Sequence, residues 1–77
     1  MITVLLFAQL QEQAGKEKII VEADDLKVSE LKALLESSYK LSQLDHVMTA
    51  INEEYALPTD NIFAGDTVAL IPPVSGG

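Results

Sequence analysis

The chain has 77 residues, 48% of them hydrophobic, and its 12 acidic residues against five lysines give a net charge of −7. This is the size of one small globular domain, able to bury only roughly 60% of the surface its unfolded chain exposes. The absence of cysteine excludes a disulfide framework, a thiolate metal site, an iron–sulfur cluster and a cysteine nucleophile. Without a basic footprint there is no case for nucleic acid binding. No apolar stretch reaches the length of a membrane span, and Met1-Ile2-Thr3-Val4 enters a strand pattern with no signal-like segment, so a cytoplasmic location with no membrane contact is expected. An acidic surface serves solubility and also suits partners with basic docking surfaces.

Ile2 to Ala8 are almost all apolar and read as a buried central strand. Leu10 to Ala14 suit a short helix closed by Gly15 in a left-handed cap. Lys18 to Glu22 read as a second strand, paired with the first as a hairpin, and Asp24-Asp25 break the pattern as a solvated turn. Val28, Leu31, Leu34, Leu35 and Tyr39 recur in steps of three and four, which predicts an amphipathic helix with the leucines in the core. Its cap falls at Lys27 or Ser29, and Glu30 favours the helix dipole.

His46 to Asn52 read as a third strand, with His46 as a surface or strand-edge residue. Asn52-Glu53-Glu54 form a solvated turn, and Tyr55 to Leu57 form an edge strand stopped by Pro58. Ala64-Gly65-Asp66 are a tight turn, and Thr67 to Ile71 the last strand. This order predicts an α+β roll: a mixed sheet packed on one main helix, with the first and last strands side by side and parallel.

Strand alternation then separates two faces. If the helix covers Val4, Leu6, Val68 and Leu70, then Leu5, Phe7, Ala69 and Ile71 point away from it. A one-sided sheet should be polar there, so this is a candidate docking patch, with Tyr55 as a further member. Past the last strand come Pro72-Pro73-Val74-Ser75-Gly76-Gly77. The prolines favour extended backbone and the glycines carry no Cβ, so the body at residues 1–71 is expected to carry residues 72–77 as a slim stalk with a carboxylate at its tip. Nothing in the chain activates ATP or a nucleophile: there is no Gly-rich phosphate loop with a lysine, and His46 has no necessary partner beside it.

Three segments, VLLFAQLQEQAG, AIN and GDTVALIPPVSGG, carry a resemblance over the whole length to the ubiquitin-like β-grasp sulfur carriers, and within them to the small subunits of molybdopterin synthase. The resemblance implies a ubiquitin-like β-grasp fold with no bound cofactor and no metal. It implies that an E1-like adenylyltransferase consumes ATP to convert the Gly77 carboxylate to an acyl-adenylate. A persulfide donor then supplies the sulfur of a C-terminal thiocarboxylate. That sulfur passes to a cyclic pyranopterin phosphate inside the large synthase subunit, in a heterotetramer of two small and two large subunits. Gly77 would carry the reacting carbon, Gly76, Ser75, Val74, Pro73 and Pro72 would thread the tunnel, and Phe7, Leu5, Tyr55 and Ile71 would dock. In that arrangement the chain is a sulfur-carrying subunit and the transferase is the complex. A carrier for thiamine or another thiolation pathway, and a ubiquitin-like modifier or binding module that never holds sulfur, remain as alternatives.

Overall fold

The computed structural model describes residues 1–39, 41 and 44–73. Strand β1 (Ile2–Leu6) leads into helix α1 (Gln9–Ala14), and the chain returns as β2 (Lys18–Val21). A short β3 (Asp25–Lys27) runs straight into the main helix α2 (Val28–Tyr39). A 3-10 turn (Leu44–His46) precedes β4 (Met48–Ile51), β5 (Glu54–Ala56), β6 (Asn61–Phe63) and β7 (Thr67–Ile71). The main sheet has the order β2-β1-β7-β4-β5, and β3 pairs with β6 in a separate two-stranded sheet. β1 and β7 are parallel, with Val4 opposite Val68 and Leu6 opposite Leu70, while β1–β2 and β4–β7 are antiparallel. The predicted α+β roll, its hairpin and its central parallel pair are therefore the observed architecture.

Alternation sets the core. Ile2, Val4, Leu6, Ile19, Val21, Val68 and Leu70 are buried on one face of the sheet, and α2 adds Val28, Leu31 and Leu35 to the same cluster. Leu34 departs from the expectation of a core leucine: it is 38% exposed. The helix's buried stripe runs through positions 28, 31 and 35, and Leu34 falls on its shoulder, beside Ile20 and Tyr39. His46 is on the surface as expected, but it lies in the 3-10 turn, and the strand begins only at Met48. Leu44 and Val47 are buried ahead of it, so this approach to β4 is packed as a turn and not as a strand.

The pair Asp24-Asp25 is only half a turn, because Asp25 opens β3 opposite Phe63. That small sheet places Leu26 against Ile62 and explains how α2 starts without a Ser or Thr cap. The Lys27 N–H donates to Glu30 Oε1 at 2.7 Å, half of a capping box. The next two helical donors are satisfied by loop carbonyls: Val28 N–H donates to the Asp60 carbonyl at 3.0 Å and Ser29 N–H to that of Pro58 at 3.1 Å.

At the N-terminal end of the central pair, Asp66 gathers three segments. The Phe63 N–H donates to Asp66 Oδ2 at 2.9 Å, and Asn52 Nδ2 donates to Oδ1 at 3.0 Å. Asn52 in turn accepts the Thr67 N–H on its Oδ1 at 3.0 Å, and Gly65, at φ 92°, donates its N–H to the Met1 carbonyl at 2.8 Å. The Phe63 N–H, followed by Asn52, holds the Asp66 carboxyl below its ordinary value of 3.8.

Two predictions follow from this packing. Thr49 is buried on the core face, and among the described residues its hydroxyl has no hydrogen-bond partner, so Thr49→Val should raise stability by about 1 kcal/mol, read from the urea midpoint. Asp66 has a folded pKa below the unfolded 3.8, so it adds stability above that pH, and the gain is lost as pH falls through the folded value. Asp66→Asn should therefore lower the midpoint at neutral pH and shrink the decline on acidification; an unchanged acid limb would remove Asp66 as its source.

Candidate functional site

Cross-strand pairing lines up Lys18, Leu5, Ala69, Ala50 and Tyr55 in one row across all five strands, on the face opposite the core. Ile71 and Met48 form the next pair on that face, toward the end where Phe7 stands just beyond β1. Leu5, Ala69 and Ile71 are half-buried, while Phe7 is 41% and Tyr55 73% exposed. Thr3 and Thr67 add hydroxyls to this face, and among the described strand residues its one charge is Lys18, on the outer strand β2.

The sequence reading placed Leu5, Phe7, Tyr55 and Ile71 here and missed Met48 and Ile20, each 48% exposed. The signal for Met48 was the alternation of β4 counted against β7, which puts Met48 on the face of Ala50. Ile20 pairs with Thr3, so the parity of the hairpin already contained it.

The position of Phe7 depends on the bend after it. Ala8 has φ 52° and ψ −129°, a region that glycine occupies far more easily than alanine. Such a residue costs on the order of 1–3 kcal/mol and persists only where its surroundings enforce it. Here the Leu10 N–H donates to the Phe7 carbonyl at 3.1 Å, Gln11 Nε2 donates to the Leu6 carbonyl at 2.8 Å, and Leu10 is buried beneath. Helix α1 then ends at Gly15 in the left-handed conformation, as its sequence suggested. A cleft of about 240 Å³ lies between Leu5, Leu6, Phe7, Gln11, Glu17 and Lys18.

Because β1 and β7 run parallel, β7 delivers the chain to the same end of the sheet as Phe7. Pro72 is buried at that exit and Pro73 is exposed. Val74, Ser75, Gly76 and Gly77 lie outside the described residues. Among the described residues no group of His, Cys, Asp and Glu could hold a metal ion, and no helix is long and apolar enough to cross a membrane. The usable features are an apolar face and a chain exit beside it.

One main helix on a mixed sheet whose first and last strands pair in parallel at its centre defines a ubiquitin-like β-grasp protein. Residues 4–77 match the ThiS family, and the chain belongs to it. It is 37% identical to the molybdopterin synthase sulfur carrier subunit of Anopheles gambiae over an 83-residue alignment covering 99% of this chain and 91% of that protein. The crystal structure of SAMP1 from Haloferax volcanii superposes with a TM-score of 0.85 at 33% identity, covering 99% of this chain and 98% of that one. A chain in the protein–protein complex of subunits 1 and 2 of the molybdopterin-converting factor from Helicobacter pylori superposes with a TM-score of 0.69 at 26% identity, covering 99% and 97%.

Proposed function

We propose that this chain is the sulfur carrier subunit of a molybdopterin synthase, and that Gly77 carries the sulfur as a C-terminal thiocarboxylate. The observation that supports it most directly is the exit of β7 beside Phe7, flush with an exposed apolar face, in a chain similar to named sulfur carrier subunits. A partner seated on that face receives the residues after Pro73 directly into its own site. The complex formed by the Helicobacter pylori relative makes a large synthase subunit the natural occupant.

The chemistry follows from what a carboxylate lacks. It is a poor electrophile, so an E1-like adenylyltransferase converts it to an acyl-adenylate, releasing pyrophosphate from ATP. The terminal sulfur of a protein persulfide attacks the carbonyl carbon and expels AMP. A thiol then cleaves the sulfur–sulfur bond, leaving the thiocarboxylate on Gly77 and a disulfide on the donor side. In the large subunit that sulfur is transferred to a cyclic pyranopterin phosphate, with two charged carriers consumed for two sulfurs. The docking face of this chain orients the stalk, and its own side chains hold no part of the reaction.

SAMP1 is a small archaeal modifier protein by name, and its similarity supports a second reading in which Gly77 is joined to lysines of target proteins. Tandem mass spectrometry of the C-terminal peptide after co-expression with the activating enzymes separates the two. Sulfur in place of one Gly77 oxygen is expected; a plain carboxylate together with isopeptide-linked targets would favour the modifier. Phe7→Ala should lower stability by less than about 1 kcal/mol, since the ring is half outside already, while weakening binding to the large subunit about tenfold. A larger loss of stability than of affinity would make Phe7 a core residue.

A further inference from the structure

The apolar face does not end at Tyr55. At the open edge of the main sheet a groove of about 310 Å³ runs between β5 and β6. Ile51 and Ala56, both packed against the core, line it together with the aromatic residues Tyr55 and Phe63, 73% and 55% exposed. Glu54 and Asp60 also line it, and no lysine among the described residues does. Asp60 Oδ2 accepts the Leu57 N–H at 2.8 Å, which fixes that carboxylate at the groove.

The backbone at this edge is open as well. Asn52 and Glu53, at φ 50° and 72°, make a two-residue turn in which Ile51 and Glu54 face each other. That makes Ile51–Glu54 a hydrogen-bonded pair and Ala50–Tyr55 a non-hydrogen-bonded one, so the Tyr55 N–H and C=O point away from β4 toward the open edge. The Asn52 N–H donating to the Thr67 carbonyl at 2.8 Å fixes the same phase from the β7 side.

We propose that this groove receives an extended, arginine-bearing segment of the same partner that docks on the apolar face, the inference resting on the docking reading above. A guanidinium fits this lining because its plane stacks on aromatic rings while its edge pairs with carboxylates. The chain contains five basic residues, all of them lysines, so a second copy cannot supply the guanidinium. Tyr55 belongs to both surfaces, which makes the groove a continuation of the face and fixes the rotation of the partner about the chain exit. An acidic groove beside a face whose only charge among the described residues is Lys18 calls for positive charge in the part of the partner that overhangs the β5 edge.

The test is isothermal titration of the large synthase subunit from the same genome with the wild-type chain and three variants, each checked by its melting curve. Glu54→Lys should weaken binding about tenfold or more and reduce its salt dependence. Phe63→Ala, which leaves the sheet face untouched, should weaken it about fivefold. Glu36→Lys, the same charge change on α2 away from the groove, should leave it within about twofold. Glu54→Lys and Phe63→Ala both within twofold of wild type would overturn the groove while leaving the docking face intact. Equal losses for Glu54→Lys and Glu36→Lys would reduce the effect to overall charge and also overturn it. A wild-type chain that does not bind the large subunit refutes the docking reading and this inference together.

Discussion

Two parallel strands drawn from opposite ends of a chain cannot be joined by a tight turn, and this fold is built around that constraint. β1 and β7 lie side by side at the centre of the sheet, so everything between them has to leave the sheet and return. The return is made through α2, which thereby lands on one face and supplies Val28, Leu31 and Leu35 to the core. The parallel register also brings the end of β1 and the end of β7 to the same edge. Phe7 and the chain exit are neighbours for that reason, and no separate device is needed to set the proposed docking residue beside the exit.

A domain this small has one helix to spend on one face, and the other face stays open. Its exposed apolar residues make it the natural place for a protein partner. The charges are kept off it: Lys18 alone stands in the central row, and carboxylates such as Glu54 and Asp60 collect at an edge. In the proposed docking, apolar contact supplies affinity over the face, while charge at the edge selects orientation.

Regular repetition was legible in the sequence. The hairpin, α2 from Val28 to Tyr39, β7 from Thr67 to Ile71 and the two-faced alternation were read from residue spacing alone. What escaped was set by contacts distant in the chain. β3 and β6 are three residues each, too short for a period, and exist because Leu26 meets Ile62 across 35 intervening positions of chain. The cap of α2 was ambiguous because its donors are satisfied by carbonyls of Pro58 and Asp60, which no local pattern announces. Leu34 has the spacing of a core residue, yet a helix of this pitch presents only one stripe squarely to a sheet. Of the site, Leu5, Phe7 and Ile71 followed from parity, Tyr55 was added as an exposed apolar neighbour without it, and the β5–β6 groove required knowing that Phe63 stands near Tyr55. Gly76 and Gly77, which carried the functional reading, lie outside the described residues.

Ala8 shows how the fold and the open apolar face are linked. Strand β1 must stop at Leu6 for α1 to turn back and bury Leu10, yet Phe7 must remain on the strand's alternation to stand beside Leu5. Only a sharp reversal immediately after Phe7 satisfies both, and φ 52° at Ala8 is that reversal. The strain is local, and the hydrogen bonds from Leu10 and Gln11 hold it against the core that forms around Leu10. Stability generated on the buried face thus fixes the one aromatic ring that the open face presents next to the chain exit.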